Sequence, residues 1–177
     1  MPTMQHIQLM AKRALLPLFL VIIFVTAATG ARAASADLEF RQGLSAFNAG
    51  KFDEALRVWG KLAESGDPRS EAGLGFLYHH GMGTKVDERK AVLWLTKAAE
   101  HGQAEGQLLL GSLYFYGQGV AQSYIYAFAW CDIAQESGQS DAFLCREAAS
   151  QGLKSAEEQS EAQRLGIELR DRILRSR

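Results

Sequence analysis

The sequence predicts an all-α fold, a solenoid of antiparallel helix–turn–helix repeats with about eight helices. Ala55, Ala91 and Ala127 recur every 36 residues, and so do Gly66, Gly102 and Gly138. Between the first two copies the match extends to Leu74/Leu110, Gly75/Gly111, Leu77/Leu113, Tyr78/Tyr114, Gly81/Gly117 and Gly83/Gly119. Self-similarity at a fixed period marks repeat architectures, in which stacked units share a core that none could bury alone. Composition agrees: 47% hydrophobic and 22% charged residues with three prolines describe a globular chain, which excludes wholesale disorder and collagen-like folds. Nineteen Lys and Arg against twenty Asp and Glu leave a net charge of −1. No basic field suggests nucleic acid, which would need clustered cations.

The chain begins with an expected secretory signal peptide, residues 1–33. Lys12 and Arg13 precede an apolar run from Ala14 to Val25, and small residues follow in Ala31-Arg32-Ala33-Ala34-Ser35-Ala36. A basic region, a short apolar stretch and an A-x-A site make that signature. Cleavage is expected after Ala33 or Ala36. The alternative is a retained anchor, but a span needs about 18 apolar residues, and this run is shorter and contains Pro17. No Cys follows it, which disfavours a lipoprotein. Removal of 33 residues leaves 144 with a net charge of −4. The expected compartment is the periplasm or the exterior, with no stable membrane span after processing.

Each copy reads as helix, turn, helix, loop, in units of about 52–87, 88–123 and a partial 124–142. In the second copy the first helix runs from about Glu88 to His101, with Ala91, Leu95 and Ala98 on one stripe. Asp87 can cap its N-terminus by accepting from orphan backbone N–H groups. Gly102 can take the left-handed conformation that closes the helix. The second helix runs from about Ala104 to Tyr116. In the first copy Asp67-Pro68 places a capping residue before a proline at the first helical position. Gly75 and Gly111 lie inside helices, where glycine costs about 1 kcal/mol relative to alanine. Recurrence at one position points to close helix approach, with Ala91 and Ala127 as the expected neighbours. Trp94 and Trp130 recur too, and are expected in the core between repeats.

The pattern A-x-x-W-[LC]-x-x-A at Ala91–Ala98 and Ala127–Ala134, with L-G-x-L-Y-x-x-G-x-G at Leu74–Gly83 and Leu110–Gly119, resembles the Sel-1-like repeat family. That family is related to tetratricopeptide repeats. The resemblance covers about Phe52 to Ala142. It implies a helical solenoid that serves protein–protein interaction, and many bacterial members are exported.

The ends depart from the repeat. Residues 34–51 are expected to hold an N-terminal capping helix, from Leu38 to Asn48, and residues 143–177 C-terminal capping helices. Glu147 falls where Gly75 and Gly111 predict glycine. Ser155-Ala156-Glu157-Glu158 reads as a capping box, opening a helix with Leu165, Leu169 and Ile173 on one face. Cys131 and Cys145 lie seven residues either side of Gly138. Antiparallel helices bring such positions to similar heights, so they form a candidate disulfide in an oxidising compartment. Some exported relatives carry links of this kind; two buried free thiols are the alternative.

Motifs for chemistry are sparse. The sequence has no H-E-x-x-H, no complete G-x-S-x-G and no S-x-x-K. Gly81-Met82-Gly83 and Gly117-Gln118-Gly119 follow helices and lack a third glycine, so they read as turns rather than nucleotide loops. His79 and His80 end a helix, where the dipole favours them; His101 lies one repeat away. Glu157, Glu158 and Glu161 read as a solvated face. The chain is expected to have no catalytic, cofactor-binding or metal-binding residues and no cofactor. Phe115, Tyr116, Tyr124 and Tyr126 crowd around the Gly117–Gly119 loop beyond what the period demands. They are candidate partner-binding residues, since aromatic anchors concentrate binding energy; packing against the C-terminal helices is the competing explanation. The expected function is an exported, non-enzymatic scaffold, adaptor or regulator binding a protein or peptide on its stacked first helices. The alternatives are a cell-envelope hydrolase or penicillin-binding, β-lactamase-like protein, and a structural subunit of an envelope or secretion assembly.

Overall fold

The computed structural model describes residues 32–176, so the proposed signal peptide lies outside the described residues save for Arg32 and Ala33. Eight helices and no strand occur among the described residues. The first, α1, covers 32–48, beginning upstream of the expected Leu38. It is followed by α2 (Phe52–Glu64), α3 (Pro68–His80), α4 (Glu88–Glu100), α5 (Ala104–Tyr116), α6 (Tyr124–Glu136), α7 (Ala142–Gly152) and α8 (Ala156–Arg175). The described residues from Glu39 onward form one compact unit. The repeats lie within it.

The period is kept to the residue. The helices α2, α4 and α6 each have 13 residues and start 36 apart. The caps follow: Asp67 accepts from the Ser70 N–H at 2.8 Å and Asp87 from the Lys90 N–H at 3.0 Å. The loops repeat bond for bond. The Met82 and Gln118 N–H groups donate to the Leu77 and Leu113 carbonyls, and those of Asp87 and Ser123 to the Tyr78 and Tyr114 carbonyls. Gly83 and Gly119 have φ of 69° and 72°. A Cβ on Gly83 would sit 2.7 Å from the Asp53 backbone nitrogen, and one on Gly119 2.7 Å from the Glu88 carbonyl carbon. The second glycine of each loop therefore lets the loop lie against the start of its own copy's first helix, where no side chain fits.

The helix α7 begins at Ala142, the last residue of the expected partial copy, and runs on into the expected capping segment. This helix starts two residues later than the period dictates, yet ends in register at Gly152. Asp141 makes no side-chain cap there. The capping box before α8 is shifted. The Ser155 hydroxyl accepts from the Glu158 N–H at 3.2 Å, but the Glu158 carboxylate reaches the N–H of Lys154 rather than that of Ser155.

The main core joins α4, α5, α6 and α8: Ala91, Leu95, Ala99, Leu110, Leu113, Ala129, Trp130, Ile133, Leu169 and Ile173 form one buried cluster. Continued stacking would set α8 against α7. Instead α8 packs on α6 and reaches α4. Asp132 of α6 lies 3.5 Å from both Arg146 of α7 and Arg170 of α8, and Arg170 also pairs with Glu136 at 2.5 Å. This placement corrects the expectation for the two tryptophans. Trp130 is buried in the cluster that contains Leu169 and Ile173. Trp94, its equivalent on α4, is half-buried, with the Lys97 ammonium 4.2 Å from its ring centroid. The ring snorkels at the surface under a cation because α8 touches α4 only lightly.

Candidate interaction site

The intrahelical glycines position the site. A Cβ on Gly75 would lie 2.5 Å from the Leu95 Cγ and 3.3 Å from the Ala91 carbonyl. One on Gly111 would collide with the Cys131 sulfur and lie 3.3 Å from the Ala127 carbonyl. The expected alanines are there, but it is the side chain one turn further on that fills the gap. That position holds Trp59, Leu95 and Cys131 in the three copies. Cys131 and Cys145 form a disulfide with a Cα–Cα distance of 5.9 Å, tying α6 to α7.

The four aromatic candidates fall on two surfaces. Phe115 packs edge-on against Tyr116 and Tyr124, with centroids 4.9 and 5.5 Å apart. Tyr124 also covers Gly152, where a Cβ would lie 2.6 Å from its ring. Tyr126 is separate: it stacks on Tyr114 at 4.9 Å and lines a groove of about 220 Å³ with Ile125, Arg164 and Leu165. Burial, aided by the Tyr126 hydroxyl nearby, pushes the Tyr114 phenol above its usual range.

Tyr116 is 68% exposed and sits at the junction of two apolar hollows. One, of about 330 Å³, lies between α5 and α7 and is lined by Leu108, Leu109, Ser112, Phe115, Leu144 and Ala148 among others. The other, of about 90 Å³, extends toward α3 and Phe76. Leu144 is 71% exposed. Among the 13 residues of α5 only Glu105 is charged. Sequence reasoning missed Leu108, Leu109, Ser112 and Leu144, although the lack of charge along α5 was a readable signal. It also missed a cavity of about 200 Å³ walled by Phe40, Phe47, Trp59 and Phe76. There the Trp59 indole donates to the Phe40 carbonyl at 3.3 Å and Arg69 lies 4.3 Å from the Phe40 ring centroid.

The face formed by the first helices is not open throughout. Where α6 and part of α4 would offer it, α8 lies instead. Binding on the stacked first helices is therefore excluded over that stretch unless α8 moves.

The histidines are used between elements. His79 Nδ1 is 2.8 Å from Glu88, and His80 stacks on Phe76 with centroids 4.0 Å apart. His101, at the end of α4, holds Glu71 of α3 at 2.7 Å. Glu71 is 1% exposed, and burial raises its pKa against the opposing pull of His101. No group of three or more His, Cys, Asp or Glu is disposed to hold a metal among the described residues. No helix of the described residues is long and apolar enough to cross a membrane.

Comparisons with known proteins give the lineage. The Sel1 repeat family model matches residues 68–103 and 104–138. Its unit pairs α3 with α4 and α5 with α6, the helix pairs in most extensive contact here. Among solved structures, the chain is similar to c5321, a protective antigen present in uropathogenic Escherichia coli strains and displaying an SLR fold. The two are 27% identical over 78% of this chain and 30% of that one, with a TM-score of 0.74. It is also similar to a Sel1 repeat protein from Oxalobacter formigenes, at 31% identity over 67% of this chain and 92% of that one, with a TM-score of 0.58. The chain thus spans less than a third of the E. coli antigen's length. No curated protein matches.

Proposed function

The chain belongs to the Sel1 repeat family, and from that premise we propose that it is an exported, non-enzymatic scaffold that holds a protein partner on the exposed face of α5 and α7. Sel1 repeats serve protein–protein interaction in general, and the finer reading is where the contact lies. One observation carries it: α5 presents Leu108, Leu109, Ser112, Phe115 and Tyr116 around apolar hollows, with a single charge on the helix. Apolar side chains gathered around surface hollows, with an exposed tyrosine at their junction, are the kind of surface at which partners dock. The helices beneath it are locked by the Gly111 approach and the disulfide, so little ordering entropy opposes binding. Export is supported by the basic and apolar N-terminal segment and the A-x-A sites, and it gives the cysteines an oxidising compartment.

The test has two arms. Fractionation of cells with N-terminal sequencing should find a chain starting at Ala34 or Asp37 outside the cytosol; an uncleaved chain in the cytosol overturns export. Photocrosslinking from position 116 in intact cells should yield a discrete protein adduct that crosslinking from Lys97, on the α4 surface, does not. Equal adducts from both positions overturn the placement of the surface.

A further inference from the structure

We propose that the partner on the α5 face is a second copy of this chain, docked through an antiparallel α5–α5 contact with a two-fold axis at Ser112. The inference rests on the α5 face being the interaction surface. The half-buried stripe, with Tyr116 exposed at its end, is symmetric about Ser112: Leu109 and Phe115 lie three residues either side, and Leu108 and Tyr116 four. All five residues line the same hollow. In an isologous contact, where residue i meets j, j meets i. An axis at Ser112 therefore sets Leu109 beside the partner's Phe115 and Leu108 beside the partner's Tyr116, so apolar meets apolar along the whole stripe.

The chemistry at the axis fits. A residue on a two-fold meets itself, so a charge there would repel its own copy. Residues 106–116 carry none. Ser112 is small enough for two helix backbones to approach, and its hydroxyl already donates to the Leu108 carbonyl at 3.0 Å. Covering it leaves no donor stranded. The ends complement each other as well. Exposed Glu105 and Asp141 mark the N-terminal end of the face. His79 and His80, at the C-terminus of α3, mark the other, beside the hollow that Tyr116 shares with Phe76 and His79. Antiparallel docking puts Glu105, which lies on the α3 side of α5, at the end of the other copy that carries His80.

Sedimentation equilibrium on the purified chain, between about 1 and 100 µM, where interfaces of modest quality dissociate, tests this. A monomer–dimer equilibrium is expected. Tyr116→Asp and Leu144→Asp lie on the exposed rim and leave the fold intact, as unchanged helical circular dichroism and melting will verify; each should weaken the dimer at least roughly tenfold. Ser112→Lys, which sets like charges across the axis, should abolish it. A chain monomeric throughout, or a dimer indifferent to all three changes, overturns the proposal. If the chain is monomeric while Leu144→Asp still abolishes the crosslink from position 116 to a different protein, the scaffold reading stands and only the identity of the partner falls.

Discussion

The junction of α3 with α4 and that of α5 with α6 are the same design with different fastenings. Both bring a helix face with an internal glycine, Gly75 or Gly111, against the next helix's carbonyl at Ala91 or Ala127. In the first, Leu95 fills the gap and holds by packing alone. In the second, Cys131 fills it and is bonded through Cys145 to α7. The reason lies one helix further on. Among the described residues no further helix stacks on α7, because α8 turns away to α6. A helix pair with a neighbour on only one side loses the interface energy that holds internal repeats, as the terminal units of linear arrays generally do. The disulfide secures α7 where the next repeat would have done so.

Removing the fastening should have the largest effect. Cys131→Ala with Cys145→Ala is expected to destabilise by about 3 kcal/mol, from the freed loop entropy of the unfolded chain, read by urea denaturation. Cys131→Leu with Cys145→Ala in its place, which copies Leu95, should recover part of that loss. If it recovers none, the two junctions are not equivalent. Next come the glycines. Gly111→Ala should cost about 2 kcal/mol and Gly75→Ala about 1 kcal/mol, overpacking outweighing the gain in helix propensity. The order follows because Leu95 can change rotamer, whereas the Cys131 sulfur is held. Equal costs, or a larger cost at Gly75, would break the comparison.

Glu71 and Gln107 occupy the same place in the two copies. Gln107 donates to the Ala99 carbonyl at 3.2 Å, while Glu71 is a buried carboxylate held by His101. Its folded pKa is raised, so its titration favours the fold below its unfolded pKa, near 4, and that contribution is lost as pH rises through the folded value. Glu71→Gln should therefore raise the melting temperature at pH 7 relative to wild type more than at pH 4. A gain independent of pH would contradict this. The smallest effect is expected at Glu147, the third position in the glycine series. It is exposed, and Glu147→Ala should change stability by less than about 0.5 kcal/mol, because no helix approaches there.

That series shows what the sequence could and could not convey. The period, the caps and the loops were legible because the caps are set within one turn of chain and the loops recur with the same glycines at the same spacing. Glu147 was also legible as a lost glycine, but its meaning needed the position of α8. The same holds for Trp94, whose spacing matches that of Trp130 and whose environment does not. Burial at that position depends on whether α8 lies over it. The aromatic candidates were found as a cluster in sequence and separated in space, because Tyr126 turns toward Tyr114 while Phe115, Tyr116 and Tyr124 face α7. The leucines of α5 escaped notice because apolar residues in a helix read as core; that Leu108 and Leu109 are only partly covered is a property of the neighbours.

The position of α8 also sets a timetable. A chain emerges N-terminus first, from the ribosome or from a translocation channel, and domains fold as their parts become available. The helices α2 to α5 can pair with neighbours already made. The cluster around Ala91, Leu110 and Trp130 cannot close until Leu169 and Ile173 exist. Until then the nascent protein carries a long apolar trough on α4 and α6. Any machinery that handles it in that interval, chaperone or protease, meets a surface the finished molecule does not have.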